Sequence, residues 1–384
     1  MTEPREEDDY YTRVFSGPGA VGAAAWNGLV AASRAPVFLR AEFLDALHDS
    51  GAANPASGWI PEYFGLMRGD RLVAAVPLYR KHHSWGEYVF DWAWAQAHEQ
   101  HGLPYYPKWL VAVPFTPVSG PRLLGVDPPA RAELGRRLLA LAQDSGLSSL
   151  HVLFPDPAEA ESLAAQGLLL RRSVQFHWFN RGWAEFDDFL DALTQVKRKK
   201  IRAERRRLAA AGVSCEVLAG SEIGAADWNF FYRCYAATYE RHRATPHLPP
   251  AFFHQLAATL PTASVMVVAR RGGRPIASAL ALRDGDRLYG RYWGAIEAVD
   301  YLHFELSYYQ LIAFALREGL ASFEGGAQGE HKLARGFQPV LTHSAHWIAH
   351  PALRAAVARF VQRESDGVVA YRNELEQHSA LRQV

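Results

Sequence analysis

Glu330, His331, Lys332 and Arg335 crowd into one short stretch of residues 323–339, FEGGAQGEHKLARGFQP. A carboxylate and an imidazole can move protons, and two cations can bind an anion. Glycines at 325, 326, 329 and 336 allow close backbone approach or positive φ. The segment therefore holds the parts of a polar active site. The plainer reading is a surface loop with scattered charges.

Residues 300–320, DYLHFELSYYQLIAFALREGL, lead into it. Leu302, Leu306, Tyr309, Ala313, Leu316 and Leu320 recur at helical spacing, which predicts a helix capped by Asp300 and stopped at Gly319. Winding places Glu305 among Tyr309, Ile312 and Leu316. A carboxylate on that face needs a partner or a raised pKa, or it sits there because the first turn of a helix favours an acid. The sequence leaves both readings open.

A second chemical signal lies in residues 186–212, FDDFLDALTQVKRKKIRAERRRLAAAG. Phe186, Phe189, Leu193, Val196, Ile201 and Leu208 keep a helical stripe, with Thr194 as a cap and Gly212 as a stop. Eight of the eleven residues from 197 to 207 are Lys or Arg. Charges this dense repel unless something anionic is near. Phosphates on a nucleotide sugar, coenzyme A or RNA are the natural counter-charge. The alternative is a solvated helix face balanced by the acidic tail.

These segments sit in a chain of 384 residues, 49% apolar and 21% charged, long enough for two or three domains with large cores. A net charge of +1 excludes a whole-protein field that attracts nucleic acid. Cys215 and Cys234 are too few for a disulfide scaffold and lack metal-ligand spacing, so no metal is expected. MTEPREEDDYY has no apolar core of a signal peptide, and no run of about 18 apolar residues exists. A cytoplasmic protein without a membrane span is the expectation.

Along the chain, 26–50 reads as helical with a break near Pro36. Residues 61–80 give a hairpin turning at Gly69-Asp70, and 88–95, YVFDWAWA, read as a third strand holding Asp91. The proline-rich connection 104–121 contains Lys108 and cannot be regular helix. A helix over 131–145 and a strand over 147–154 follow. That order returns as strands over 264–270, 275–283 and 287–295, a helix, and a strand over 321–325. GDRLVAAVPLYR aligns with GGRPIASALALR, and GLSSLHVLF with GLASFEGGA. The repetition predicts two copies of one α/β unit.

The basic helix, the second hairpin, YLHFELSYYQLIAFALREGL and FEGGAQGEHKLARGF resemble predicted N-acyltransferases of the tandem GNAT type. These are relatives of the Fem-type peptidoglycan aminoacyltransferases, and the resemblance is nearest to a branch described as peptidoglycan biosynthesis or recognition proteins. It covers residues 38–347 and includes EYVFDWAWA, VAVPFTPVSGPRLL and QFHW at 175–178.

The resemblance implies an α/β (α+β) fold of tandem GNAT-like domains, mixed sheets flanked by helices. Residues 1–185 would form the first domain, 186–350 the second with the main site, and 351–384 a helical segment packing back on the first. It implies N-acyl or aminoacyl transfer to an amine of peptidoglycan or its precursors, from acyl-CoA or aminoacyl-tRNA, with tRNA a candidate partner. The competing class is a duplicated fold that recognises a glycan or peptide without chemistry. Lys199 and Arg202 match the family's basic helix, Glu324 its acidic strand position, and Lys332 and Arg335 its basic pair. The candidate bases are Glu305, Glu324, Glu330 and His331, with Lys332 and Arg335 for an anionic acceptor or the oxyanion. Asp91, Lys108, Gln175 and His177 either line the cleft or are satisfied core groups. One departure concerns the donor: GAIEAVDYLH lacks the Arg/Gln-x-x-Gly-x-Gly/Ala loop of coenzyme A users.

Overall fold

A computed structural model describes residues 10–327 and 329–382, which divide into two compact units. The first takes the described residues up to Ser173 together with Thr342–Val368. The second takes Val174–Leu341 and the described residues from Val369 onward. The acidic stretch up to Asp9, and Gln328 in the glycine-rich segment, lie outside the described residues.

The first unit begins with β1 (Tyr10–Phe15), α1 (Ala23–Ala32), α2 (Ala41–Asp49), β2 (Trp59–Pro61), β3 (Tyr63–Arg68), β4 (Arg71–Val76) and β5 (Leu78–Lys81). It continues with α3 (Trp92–Gln100), β6 (Lys108–Val111), β7 (Leu124–Gly125), α4 (Pro128–Asp144), β8 (Ser149–Leu153), α5 (Pro157–Ala165) and the start of β9 (Leu169–Phe179). The hairpin turns at Gly69, whose φ is +55°. Pro77 then splits its second arm, because proline cannot donate to a ladder. As a result β4 pairs with β3 and β7, while β5 pairs with β2 and β6.

The strand expected over 88–95 does not form. Trp92–Gln100 is helical, with Asp91 at its N-cap position and Trp94 and His98 buried one turn apart. The alternating tryptophans imitate a strand, but Ala95, Gln96, Ala97 and Glu99 are strong helix formers and extend the helix.

The second unit runs through α6 (Phe186–Ala192), α7 (Gln195–Ala210), β10 (Val213–Ala219), α8 (Ala225–Arg241), α9 (Pro250–Thr259), β11 (Ser264–Arg271), β12 (Arg274–Asp284) and β13 (Arg287–Ala295). Then come α10 (Leu302–Phe304), a π-helical turn (Glu305–Tyr309), α11 (Gln310–Arg317), β14 (Ser322–Glu324) and a 3-10 turn (Glu330–Arg335). β15 (Gln338–Ile348) and α12 (Pro351–Gln377) complete the chain. The sheet order here is β10-β11-β12-β13-β14-β9. The helix expected over 300–320 is capped at Tyr301, with φ +66°, rather than at Asp300, and stops before Gly319 as expected.

Each unit contains one parallel pair joined by a helix. In the second, α10 and α11 connect β13 to β14; in the first, α4 connects β6 to β8. This shared device underlies the repeated element order. α12 is divided: Leu353, Val357 and Val361 pack with Trp94, Tyr105 and Ile348 in the first unit, and Leu375 joins the core of the second.

Gly294 shows how tightly α8 lies on β13, since a Cβ there would overlap the Cys234 carbonyl and press on Thr238 Oγ1 at 2.8 Å. Backbone cannot yield as a side-chain tip does. Gly294→Ala is therefore expected to destabilise the protein by about 1–3 kcal/mol, measured by denaturant unfolding against wild type. An unchanged midpoint would show that α8 can shift freely.

Candidate active site

β13 and β14 stay in parallel register from Arg287–Ser322 to Tyr289–Glu324. Just beyond, β13 bulges: Leu280 faces Tyr292 and Ala281 faces Gly290, so Arg291 is the extra residue. β14 gives way to Gly325 and Gly326. A Cβ on Gly325 would lie 2.8 Å from the Phe337 ring, and Gly326 holds φ +86°. The 3-10 turn then brings Lys332 back, and its Nζ donates to the Gly326 carbonyl at 2.8 Å. Lys332 is 2% exposed. Burial first, and Arg291 second, push its pKa down to about 8.

Glu324 is buried at the end of β14, with Oε2 3.9 Å from His177 Nε2 on β9. That nitrogen is also 3.3 Å from Gln175 Oε1. Burial, reinforced by Lys332 and Arg287, pushes His177 down to about 3, so its imidazole is neutral. Burial and then Glu324 push the Tyr289 hydroxyl up. A buried carboxylate, a neutral imidazole and a lysine that titrates near neutrality thus share one end of the parallel pair. Such a set can accept a proton and stabilise developing negative charge.

The other charged residues of the segment face elsewhere. Arg335, 3% exposed, donates from Nη2 to both Glu204 oxygens at 3.3 Å, while its guanidinium lies 3.4 Å from the Phe304 ring centroid. The Tyr309 hydroxyl donates to the same carboxylate. His331 is exposed, with Nε2 2.9 Å from the Tyr308 hydroxyl; burial, then Arg335 and Lys332, lower its pKa. Glu330 is exposed and accepts from the Tyr371 hydroxyl. Glu305 lies in the π-helical turn, where Arg205 Nε (3.2 Å) and Gln310 Nε2 (2.7 Å) donate to its Oε1.

The basic helix α7 is balanced chiefly by its neighbour. Arg198 pairs with Asp191 at 3.1 Å, Arg202 with Asp187 at 3.2 Å, and Arg207 donates to the Tyr301 hydroxyl at 2.7 Å. Among the described residues the counter-charge comes from Asp187 and Asp191 of α6, while the acidic tail offered as the alternative lies outside the described residues. Lys197, Lys199, Lys200 and Arg206 make no ion pair among the described residues. Four phosphate contacts to a single strand would give a log–log salt slope of roughly −3. Titration of tRNA across a salt series is expected to show that slope, and Lys199→Glu with Lys200→Glu to flatten it. An unchanged slope would make α7 a solvated face.

Asp91 and Lys108 belong to the first unit and engage each other. Lys108 Nζ donates to Asp91 Oδ2, to Glu87 Oε2 at 2.9 Å and to Ser84 Oγ at 2.8 Å. Tyr105 donates to Asp91 Oδ2 at 2.6 Å and lies 3.1 Å from His151 Nε2. Burial alone would raise the Asp91 carboxyl, but the adjacent Lys108 more than offsets it and holds it below the usual range. Burial pushes Glu87 up to about 7 despite the same lysine.

The structure therefore brings Gln175, His177, Glu324 and Lys332 together. It leaves Lys199 and Arg202 on the outer face of α7, and Glu330 in solvent. Sequence reasoning missed Arg291, Tyr289, Glu204, Arg205 and Gln310. Glu204 carried a signal, as the single acid among eight cations. Arg291 carried none, because a bulge is set by pairing. Among the described residues no group of three or more His, Cys, Asp or Glu is disposed to hold a metal. None of the described helices is long and apolar enough to cross a membrane.

A family model described as peptidoglycan biosynthesis/recognition, FemAB-like, matches residues 19–383. The chain belongs to the FemAB-like family. No curated protein sequence matches it. Among solved structures, this FemAB-like chain is similar to FemX, with 11% identity, a TM-score of 0.54, and 91% of this chain and 100% of that chain covered. It is also similar to the C-terminal domain (DUF2156) of a lysylphosphatidylglycerol synthetase from Agrobacterium fabrum, described there as putative. The identity is 13%, the TM-score 0.51, and the coverage 89% of this chain and 95% of that one. A tandem GNAT protein of the clavulanic acid pathway covers 89% of this chain and 99% of its own at 14% identity and TM-score 0.45. At these identities the likeness concerns the fold alone. The chain has the mixed α/β architecture, with sheets flanked by helices, that the resemblance implied.

Proposed function

We propose that the protein transfers an acyl or aminoacyl group from an activated donor to an amine on a peptidoglycan-related precursor. The observation that carries this reading is Lys332, buried and tied to the Gly326 carbonyl where β14 ends and its pairing with β13 stops, beside Glu324. A protonated amine is no nucleophile, so a base has to take its proton. In this reading Glu324 takes that proton, with the neutral imidazole of His177 3.9 Å away. The amine nitrogen attacks the donor carbonyl, forming the C–N bond. The Lys332 ammonium stabilises the resulting oxyanion. Collapse breaks the bond to the leaving oxygen or sulfur, which takes up the first proton from Glu324. The emptied carboxylate then takes the second proton from the former ammonium nitrogen and releases it to solvent, leaving the neutral amide.

The donor is an acyl-CoA thioester or an aminoacyl-tRNA ester. The unpaired cations of α7 favour the tRNA, and the 296–301 connection lacks the glycine pattern of coenzyme A users. Both donors are made in the cytoplasm, where we place the reaction. The test offers radiolabelled acetyl-CoA and radiolabelled alanyl-tRNA separately, each with a UDP-linked muropeptide bearing a free amine. Label is expected on the amine from one donor. Label from neither would overturn the reading.

A further inference from the structure

A cleft of about 430 Å³ opens between α6, α7 and β10 in the second unit, apart from the Lys332 end of the sheet. One wall is apolar: Leu190, Leu208, Ala209 and Val213. The other is charged, with Arg202, Arg205 and Arg206 against Asp187 and Glu305. Most of these charges cancel. Arg202 pairs with Asp187, and Arg205 with Glu305. Two valences remain. Arg206 makes no ion pair or hydrogen bond among the described residues. Glu305 is 5% exposed, and its Oε2 is buried with no hydrogen-bond partner, although buried polar atoms are nearly always satisfied. The backbone is also unusual at this point, since Glu305 opens the π-helical turn, a rare feature that is frequent at functional sites.

We infer that this cleft binds a small zwitterion, an aliphatic amino acid or a dipeptide of such residues. Its ammonium donates to Glu305, its carboxylate sits on Arg206, and its side chain lies on the apolar wall. A phosphate fits poorly, because the buried Glu305 carboxylate would face it. An uncharged apolar ligand would leave both valences unmet. Arg205 is the cover over the carboxylate. Its side chain is 37% exposed and lies over the Phe186 ring, 4.8 Å from the centroid. The arriving ammonium displaces it from Glu305, and it then joins Arg206 on the ligand carboxylate. None of this depends on the transfer reaction.

The test is calorimetric titration of the full chain with L-leucine, L-alanyl-L-alanine, N-acetyl-leucine, leucinamide and inorganic phosphate. Leucine or the dipeptide is expected to bind saturably. Blocking either charge, as in N-acetyl-leucine or leucinamide, is expected to weaken binding at least tenfold. Glu305→Gln should do the same. Ala209→Trp, which fills the cleft from an exposed position, should abolish binding with the fold retained, and it serves if Glu305→Gln fails to fold. No saturable binding by either zwitterion, equal binding of N-acetyl-leucine, or tighter binding of phosphate would each overturn the inference.

Discussion

Lys332→Met is expected to remove transfer activity while leaving the protein as stable as wild type or more so. The lysine sits 2% exposed, and burial lowers its pKa from the ordinary 10.5 to about 8. A lowered pKa on a base means that the unfolded chain binds the proton more tightly than the folded one. Stability contributed by this residue therefore rises as pH climbs from about 8 towards 10.5, and below that window its charge costs roughly 3 kcal/mol. Methionine removes that cost and loses the charged-donor bond to the Gly326 carbonyl, worth about 1.5–3 kcal/mol. Activity runs the other way. The ammonium needed for the oxyanion is present below pH about 8 and lost above it, so kcat/KM should fall on that limb. The loss should be on the order of 10²–10³-fold, as for one oxyanion donor. Paired rate profiles and thermal melts decide the matter. A large drop in Tm together with lost activity would make Lys332 structural.

Arg335→Ala is expected to cost about 3–5 kcal/mol. The sequence suggests the opposite, because a cation beside a glycine-rich turn reads as a surface group with little role in stability. In the structure Arg335 is buried against Phe304 and neutralises Glu204, which the Tyr309 hydroxyl also contacts. Alanine leaves that carboxylate charged and stranded in the core. Urea unfolding of Arg335→Ala, Glu204→Gln and the double variant Glu204→Gln/Arg335→Met should show the double variant recovering most of the loss. A single variant that melts like wild type would return Arg335 to the surface-cation reading.

Much of this protein was legible in one dimension. Helical spacing located the helix through Glu305, and alternating apolar residues with Gly69 and Gly272 located both hairpins. The glycine-rich 323–339 stretch marked the end of β14. These signals survive because periodicity and turn chemistry are local. The strand expected over 88–95 failed for the converse reason. Trp92 and Trp94 at alternate positions read as a strand, but the helix formers from Ala95 to Glu99 and the burial of Trp94 and His98 on one helical face, with Trp92 left 41% exposed, made the segment helical. Partner choice was not legible at all. Which of Lys332 and Arg335 meets a backbone carbonyl, and which a buried acid, depends on contacts across six residues in one case and 131 in the other. The bulge that singles out Arg291 depends on registering β13 against β12. Composition and spacing thus determined the α/β class and the segment that bears the chemistry. Tertiary packing decided which of its charges are exposed, paired or shifted in pKa, because burial and charge neighbours are properties of the assembled fold.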